Sequence, residues 1–294
     1  MAPMQAVLTD IENKLSVVLK DNVKINSTTA VSGGSINQAY CLGTNQGKLM
    51  LKQNSKAAYP DMFACEALGL ETIGDTRTIA VPQVILQSDF EDKSYLVMEW
   101  IESRRATEKG AERLGRKLAR MHKHSHSAFG FNSDNYMGSM RQFNQKHETW
   151  SAFFVEQRLQ PMVKAAIDKN KLNLTDLKNF ELLYQKLNNL FDQEAPSLIH
   201  GDLWSGNYLI ATNETPYLID PAVSYGNREF DIAMTTLFGG FSPRFYEAYQ
   251  ETFPLNADWR QRIDLWNLYP LLLHLNLFGL SYLGQVRDAL ESYI

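Results

Sequence analysis

The first hundred residues carry two kinds of apolar pattern, one with the period of a helix and one with the period of a strand. Helical spacing relates two sets of apolar residues, namely Val7, Leu8, Ile11, Leu15, Val18 and Leu19, and Phe63, Ala67, Leu68, Leu70 and Ile73. Residues 48–52 alternate instead, so Lys52 shares a strand face with Met50. The apolar run at residues 95–98 predicts a further strand. We therefore expect a small sheet accompanied by helices.

The strand pattern returns far along the chain as a predicted β-hairpin. Short apolar runs at residues 208–210 and 217–219 flank residues 212–216, whose composition is typical of a turn. If the two strands pair symmetrically about the centre of this turn, Asn207 lies opposite Asp220. Amide and carboxylate oxygens are ligands that suit Mg²⁺ rather than zinc or copper. The hairpin therefore predicts a magnesium site formed by Asn207 and Asp220.

Candidate chemistry is concentrated just before this hairpin, where residues 200–207 read HGDLWSGN. Asp202 precedes Asn207 by five residues, which is the spacing between the base and the metal ligand of a kinase catalytic loop. We expect Asp202 to orient an attacking hydroxyl and to accept its proton. A lone Asp or Asn in a glycine-containing loop is more often a turn former. The combination with Asp220 favours phosphoryl transfer.

Two other side chains of the same loop receive different predictions. His200 is expected to be a packed, hydrogen-bonded residue that shapes the loop, because Asp202 already fills the role of the base. Trp204 lies between the base and the metal ligand, where its ring is expected to form a flat wall for the substrate. The alternative for Trp204 is an ordinary place in the core.

The N-terminal third contains candidates for binding a nucleotide. A glycine-rich turn can bring backbone N–H groups against phosphate, and its residues are Gly33, Gly34, Ser35, Ile36 and Asn37. Lys52 follows as the candidate phosphate lysine, and Glu66 on the second helix could pair with it. A surface lysine and a solvated glutamate are the ordinary alternatives. The strand at 95–98 leads into a predicted interlobe hinge that would bind adenine through its backbone, at Met98, Glu99, Trp100 and Ile101.

Composition sets bounds on the fold and on the partners. The chain has 294 residues, of which 44% are hydrophobic, so it can bury the cores of two lobes. We expect a nucleotide-binding lobe at 1–101 and a lobe at 102–294 that holds the catalytic loop, the metal site and the substrate pocket. The net charge of −4 and the sequence pI near 5.9 argue against nucleic acid and a membrane surface as partners.

Other features favour a cytoplasmic location. Cys41 and Cys65 are the only cysteines, so neither a disulfide scaffold nor a thiolate metal site is expected. The N-terminus lacks the basic start of a signal peptide. Residues 265–283 are the nearest approach to a membrane span, but polar residues and Pro270 interrupt them, which predicts a buried helix pair. The histidines at 122, 124 and 126 follow a predicted helix, and metal binding there is not expected.

Several segments resemble the fructosamine-3-kinase family, a branch of the aminoglycoside-phosphotransferase-like group with a protein-kinase-like fold. The similarity extends from Gly33 to the C-terminal helices. The most specific matches are HGDLWSGN at 200–207, IDPA at 219–222, GNREFDIAM at 226–234 and LFGGF at 237–241. Further matches are FGF at 129–131, NYMG at 135–138 and WSAFFVEQRL at 150–159.

The resemblance implies an α+β, two-lobed kinase-like fold with a small antiparallel sheet in the N-lobe and a larger, mainly helical C-lobe. It implies ATP and Mg²⁺ as cofactors, and ketoamines, free or on protein lysines, as substrates phosphorylated on the third carbon of the sugar. Family motif positions coincide with Lys52, Glu66, Asp202, Asn207 and Asp220. Asp231 resembles the acid that steadies the catalytic loop. Some members carry a cysteine in the glycine-rich loop for redox-controlled dimerisation, whereas Ser35 stands here.

Two alternative functions remain open from the sequence. An aminoglycoside or choline-type kinase of the same fold would share the Asp202, Asn207 and Asp220 pattern. A polycationic aminoglycoside, however, would be expected to require a wall of carboxylates that the segments near Trp204 do not offer. The second alternative is a catalytically inactive pseudokinase that acts as a binding module. The presence of every residue that the chemistry needs, including Lys52, Asp202 and Asp220, argues against it.

Overall fold

A computed structural model describes residues 4–31 and 36–294. Its α-helices are α1 (Met4–Leu19), α2 (Met62–Asp75), α3 (Glu108–Met121), α4 (Trp150–Phe153), α5 (Gln160–Asp168), α6 (Leu174–Lys186), α7 (Glu229–Leu237), α8 (Pro243–Thr252), α9 (Ile263–Phe278) and α10 (Leu283–Glu291). Its strands are β1 (Ile25–Val31), β2 (Gln38–Thr44), β3 (Gly47–Ser55), β4 (Val84–Phe90), β5 (Lys93–Glu99), β6 (Ser103–Arg104), β7 (Asn135–Met137), β8 (Met140–Gln142), β9 (Ser197–Ile199), β10 (Tyr208–Ala211), β11 (Pro216–Leu218) and β12 (Ser224–Gly226).

An antiparallel sheet with the strand order β1-β2-β3-β5-β4 forms the N-lobe. Successive side chains of a strand point to opposite faces, and the two faces are covered by different helices. Leu51, Tyr95 and Val97 belong to the cluster that includes buried residues of α1. Leu96 and Met98 belong to the cluster of α2. Lys52, next to Leu51, therefore points to the α2 face, as the alternation of residues 48–52 predicts.

The first helix is confirmed, although its last residues do not join the core. Val7, Ile11 and Leu15 are buried against the sheet. Val18 and Leu19, which the helical spacing placed on the same face, are exposed.

The C-lobe is mainly helical, and α9 runs through its largest core cluster. The prediction of a helix pair across residues 265–283 is wrong, because α9 continues through Pro270 as one helix and α10 begins only at Leu283. An interior proline ordinarily weakens a helix by removing a backbone donor. Here α9 is buried on nearly all sides, and the packing of its leucine and aromatic side chains maintains it. Within the part of the chain that is described, no helix is both long and apolar enough to span a bilayer.

The predicted hairpin is present, but its register differs by one residue from the expectation. Tyr208 pairs with Leu218 and Ile210 pairs with Pro216. The residue opposite Asn207 is consequently Ile219, whose N–H donates to the Asn207 carbonyl at 3.0 Å. Asp220 follows with a φ of 54°. This left-handed conformation turns the chain after the hairpin.

Candidate functional site

A single buried carboxylate organises the backbone of the loop at residues 200–207. Asp231 lies in the first turn of α7 and has no exposed surface. Its Oδ2 accepts the backbone N–H of His200 at 2.7 Å, and its Oδ1 accepts that of Gly201 at 2.9 Å. Bonds from N–H groups to an ionised acceptor are stronger than neutral ones. Asp231 therefore holds the entry to the loop, as the resemblance implied.

His200 also shapes the loop, as predicted. Its Nδ1 accepts the backbone N–H of Asp202 at 3.2 Å. The other ring nitrogen, Nε2, lies 2.9 Å from the Ile219 carbonyl, to which it donates. Burial lowers the pKa of His200. The neutral ring therefore links the loop to the end of the hairpin and does not act as a second base.

Gly201 allows the two segments of the site to approach closely. Its φ is +82°, and a Cβ at this position would lie 2.1 Å from the Ala222 carbonyl oxygen. The neighbouring Ala222 N–H donates to the His200 carbonyl at 2.9 Å. A side chain at position 201 would push apart the loop and the segment that follows Asp220, so glycine is required there.

Asp202 and Asn207, the candidate base and the candidate metal ligand, are in direct contact. The Asn207 Nδ2 donates to the Asp202 backbone carbonyl at 2.8 Å and to its carboxylate Oδ2 at 3.1 Å. With the amide nitrogen engaged on this side, the amide oxygen of Asn207 is the atom that could ligate a cation.

The Asp202 carboxyl is strongly perturbed. Burial, followed by the charge of Asp220, raises the pKa of Asp202 to about 7, although the hydrogen bond from Asn207 lowers it. A carboxyl group with a pKa near neutrality can exchange a proton at physiological pH. This property suits a group that takes a proton from a substrate hydroxyl.

Lys52 connects the two lobes at the same place. Its Nζ donates to Glu66 Oε1 at 2.6 Å and also to Asp220 Oδ1. Burial would lower the pKa of Lys52, but the carboxylates of Asp220 and Glu66 outweigh burial and raise it. The lysine is therefore a buried cation between a carboxylate of α2 and a carboxylate that follows the hairpin.

The helix that carries Glu66 packs on the segment next to Asp220. A Cβ at Gly69 of α2 would lie 3.1 Å from Pro221 Cγ. Because Glu66 and Gly69 lie about one turn apart on the same helix, the close approach at Gly69 brings Glu66 near the Lys52–Asp220 pair. The predicted pairing of Glu66 with Lys52 is thus present in the structure.

The predicted phosphate loop lies only partly within the described residues. Gly33, Gly34 and Ser35 fall outside them. Asn37 is described, and its Oδ1 accepts from Nδ2 of Asn54 on β3 at 3.0 Å. Ile36 lies close to Gly138, where a Cβ would be 3.7 Å from Ile36 Cδ1. Phosphate binding by this loop stays a prediction.

The predicted adenine hinge follows the end of β5. Met98 is buried in the sheet and pairs with Met50 and Val84. The Glu99 N–H donates to the Gln83 carbonyl at 2.9 Å, so this donor is already engaged. Ile101 is buried and Trp100 is partly buried after the strand. Adenine binding at these residues and the lobe boundary between 101 and 102 stay predictions.

Trp204 is partly buried beside the loop at residues 200–207. A Cβ at Gly206 would lie 2.3 Å from Trp204 Cη2, so the ring covers the loop backbone just before Asn207. On its other side, Trp204 meets Phe238 edge to face, with the ring centroids 6.2 Å apart. The side chain therefore lies near the candidate base and is not part of the main core.

Sequence reasoning missed the role of His122. The preceding helix ends at Met121, and His122 is buried with Nε2 3.1 Å from Asp231 Oδ2 and Nδ1 2.8 Å from the Tyr249 hydroxyl. His122 therefore holds Asp231, which in turn holds the loop at residues 200–207. A histidine immediately after a predicted helix was the only sequence signal. Across residues 4–31 and 36–294, no cluster of three or more His, Cys, Asp or Glu could hold a metal ion.

Comparison with known proteins gives one consistent assignment. The family model described as "Fructosamine kinase" matches residues 7–294. A Synechocystis protein named "Probable ketoamine kinase" is 38% identical over 96% of this chain and 95% of its own length. The chloroplastic protein-ribulosamine 3-kinase of Arabidopsis thaliana is also 38% identical, over 92% of this chain and 83% of its own.

A solved structure agrees with this assignment and with the predicted fold. A Thermobifida fusca protein that carries the name fructosamine-3-kinase superposes with a TM-score of 0.87 at 34% identity, covering 96% of this chain and 98% of its own. The two-lobed α+β kinase-like fold is therefore confirmed. The chain belongs to the fructosamine kinase family.

Proposed function

We propose that this protein transfers the γ-phosphoryl group of ATP to the 3-hydroxyl of the sugar in a ketoamine. The observation that carries the proposal is the convergence of Lys52, Asp202, Asn207 and Asp220 from separate elements of both lobes. The family supplies the reaction type, and its relatives named ketoamine kinase and protein-ribulosamine 3-kinase support the substrate class. If the phosphorylated sugar is then released from the amine, the reaction is a step in deglycation.

The residues act by positioning and by proton transfer. Asp202 orients the substrate hydroxyl and accepts its proton as the oxygen attacks the γ-phosphorus in line. Lys52 contacts the nucleotide phosphates and is held in place by Glu66. Residues 33–37 contribute backbone N–H groups to the same phosphates, and residues 98–101 bind adenine. Trp204 packs against the sugar.

The chemistry of the donor set fits Mg²⁺. The Asp220 carboxylate and the Asn207 amide oxygen are hard oxygen ligands, and the Asp220 side chain is 43% exposed, which leaves room for phosphates and water around an ion. Mg²⁺ bound there would neutralise charge on the β- and γ-phosphates. It would also offset the repulsion between Asp202 and Asp220 that contributes to the raised pKa of Asp202.

The test is a turnover screen with the purified protein and Mg-ATP. Acceptors are ketoamines of fructose, ribulose and erythrulose, one aminoglycoside and choline, with ADP release as the readout. The proposal predicts turnover of at least one ketoamine and little of the other two classes. Efficient phosphorylation of the aminoglycoside or choline alone would assign another kinase activity. Mg-ATP binding without any turnover would support a pseudokinase.

A further inference from the structure

A row of four aromatic rings continues from Trp204 away from the catalytic loop. We call this set, Phe238, His274, Phe278 and Tyr282, the aromatic row. The Phe238 ring lies 6.2 Å from Trp204 and 5.0 Å from His274, measured between centroids. The His274 ring in turn lies 5.3 Å from Phe278 and 5.1 Å from Tyr282. The spacings are those of interacting aromatic pairs, so the rings form a continuous surface.

Much of this surface is open to solvent. Phe238 is 45% exposed and Phe278 is 56% exposed, whereas most large apolar side chains of the described residues are buried. His274 adds an uncharged ring, because burial lowers its pKa and its Nδ1 donates to the Pro270 carbonyl at 2.7 Å. Exposed rings in contact with one another are characteristic of a binding surface.

The row is joined to the proposed catalytic site at two places. After Phe238, Gly240 packs on the catalytic loop, where a Cβ would lie 2.4 Å from Ser205 Cβ, and the Tyr208 hydroxyl donates to its carbonyl at 2.9 Å. Near the end of α9, a Cβ at Gly138 would lie 3.4 Å from Leu277 Cδ1 and 3.7 Å from Ile36 Cδ1. The aromatic row therefore begins at the catalytic loop, and the helix end that carries Phe278 lies beside the end of the glycine-rich loop.

Charge limits what this surface can bind. The two segments that supply the row, residues 232–243 and 265–286, contain no Asp, Glu, Lys or Arg. A polycation would find no carboxylate on these segments. The cation that contacts the end of α9, Lys171, is engaged by the Leu275 and Asn276 carbonyls, each at 2.8 Å. An uncharged, flat or branched apolar group matches the row by its chemistry.

We propose that the aromatic row binds the amine-derived part of a small ketoamine and selects amines that carry an aromatic or bulky apolar group. The inference rests on the proposed function. Trp204 contacts the sugar, and the group attached to the ketoamine nitrogen extends along Phe238 towards Phe278. The row is then a specificity determinant that acts on binding and not on the chemical step.

The experiment compares two ketoamines that share a sugar and a secondary ammonium group but differ by one ring. They are the N-benzyl and N-methyl derivatives of whichever sugar the wild-type protein phosphorylates. We expect kcat/KM to be about tenfold higher for the N-benzyl compound, the lower end of the range for gaining an apolar contact in a pocket. The difference is expected mainly in KM.

Variants assign the preference to the row. We expect Phe278→Ala to lower the benzyl-to-methyl ratio of kcat/KM towards one, because kcat/KM falls for the N-benzyl compound only. The same is expected of the double variant that also carries Phe238→Ala. Phe278→Tyr keeps a ring and is expected to keep the preference. Leu182→Ala is the matched control, since Leu182 is similarly exposed but lies on α6 outside the row.

The outcomes separate this inference from the proposed function. Equal kcat/KM for the two compounds in the wild-type protein would overturn the inference and leave ketoamine phosphorylation intact. A ratio that Phe278→Ala does not change would also overturn it. If glycated serum albumin is a better substrate than the N-benzyl compound, the assignment of the row to the amine part of a small ketoamine is refuted. Turnover of no ketoamine at all would refute the proposed function and this inference together.

Discussion

Replacing Asp231 by asparagine is expected to destabilise the protein and to loosen the catalytic loop. Asp231 is fully buried and accepts backbone N–H groups from both His200 and Gly201. An asparagine has one acceptor oxygen, so it can keep only one of these bonds and turns an amide donor towards the other N–H. Losing one bond to a charged acceptor costs about 1.5–3 kcal/mol, and leaving a buried N–H unpaired costs about 1–3 kcal/mol more. The free energy of unfolding should therefore fall by about 2.5–6 kcal/mol.

The assay is equilibrium unfolding in urea, followed by tryptophan fluorescence, together with kcat under conditions where the variant is folded. We expect a lower midpoint with little change in the slope, and a reduced kcat because Asp202 follows the loosened segment. Asp288→Asn is the control, since Asp288 is exposed on α10 and its replacement should change stability by less than about 0.5 kcal/mol. A change of less than about 1 kcal/mol for Asp231→Asn, with full activity, would refute the proposed support of the loop.

Three further predictions concern the proposed site itself. The pKa of Asp202 is raised to about 7 in the protein without bound Mg²⁺, and a base must be ionised. The kcat/KM for Mg-ATP, which reports the free enzyme, should therefore rise with pH through about 7 and fall about tenfold per pH unit below it; a flat profile from pH 5 to 8 would contradict this. Asp220→Ala should abolish turnover and Asn207→Ala should raise the Mg²⁺ concentration for half-maximal rate, and an unchanged Mg²⁺ titration in both would exclude them as ligands. Trp204→Ala should reduce kcat/KM for ketoamines by about 1–3 kcal/mol of transition-state stabilisation, which steady-state kinetics would detect.

Local sequence signals were sufficient to predict the hairpin beside the proposed site, but not the register of its strands. The hairpin of β10 and β11 follows from two apolar runs around a turn. The predicted centre of the turn was displaced because Pro216 was assigned to the turn, whereas it is the first residue of β11. A proline is tolerated as the first residue of an edge strand, and β11 lies at the edge of its sheet. The resulting shift puts Ile219, not Asp220, opposite Asn207.

Long-range contacts account for the other differences between prediction and structure. Pro270 predicts a helix break, yet α9 passes through it because its apolar side chains are buried on almost every side. His122 pairs with a carboxylate more than a hundred residues away, and no spacing in the sequence shows that contact. By contrast, the pairing of Lys52 with Glu66 could be predicted, since a strand face and a helix position fix both partners.

We propose that the γ-phosphoryl group of ATP is transferred to the oxygen on the third carbon of a ketoamine sugar, with Asp202 as the base. The most direct measurement is NMR assignment of the product formed from ATP and a ¹³C-labelled ketoamine, by the wild-type protein and by Asp202→Asn. We expect a single phosphoester on carbon 3, with ADP formed in equal amount, and a rate lowered by about 10²–10⁴-fold in the variant. Phosphate on another position, ATP hydrolysis without a phosphorylated sugar, or an undiminished rate in Asp202→Asn would contradict it.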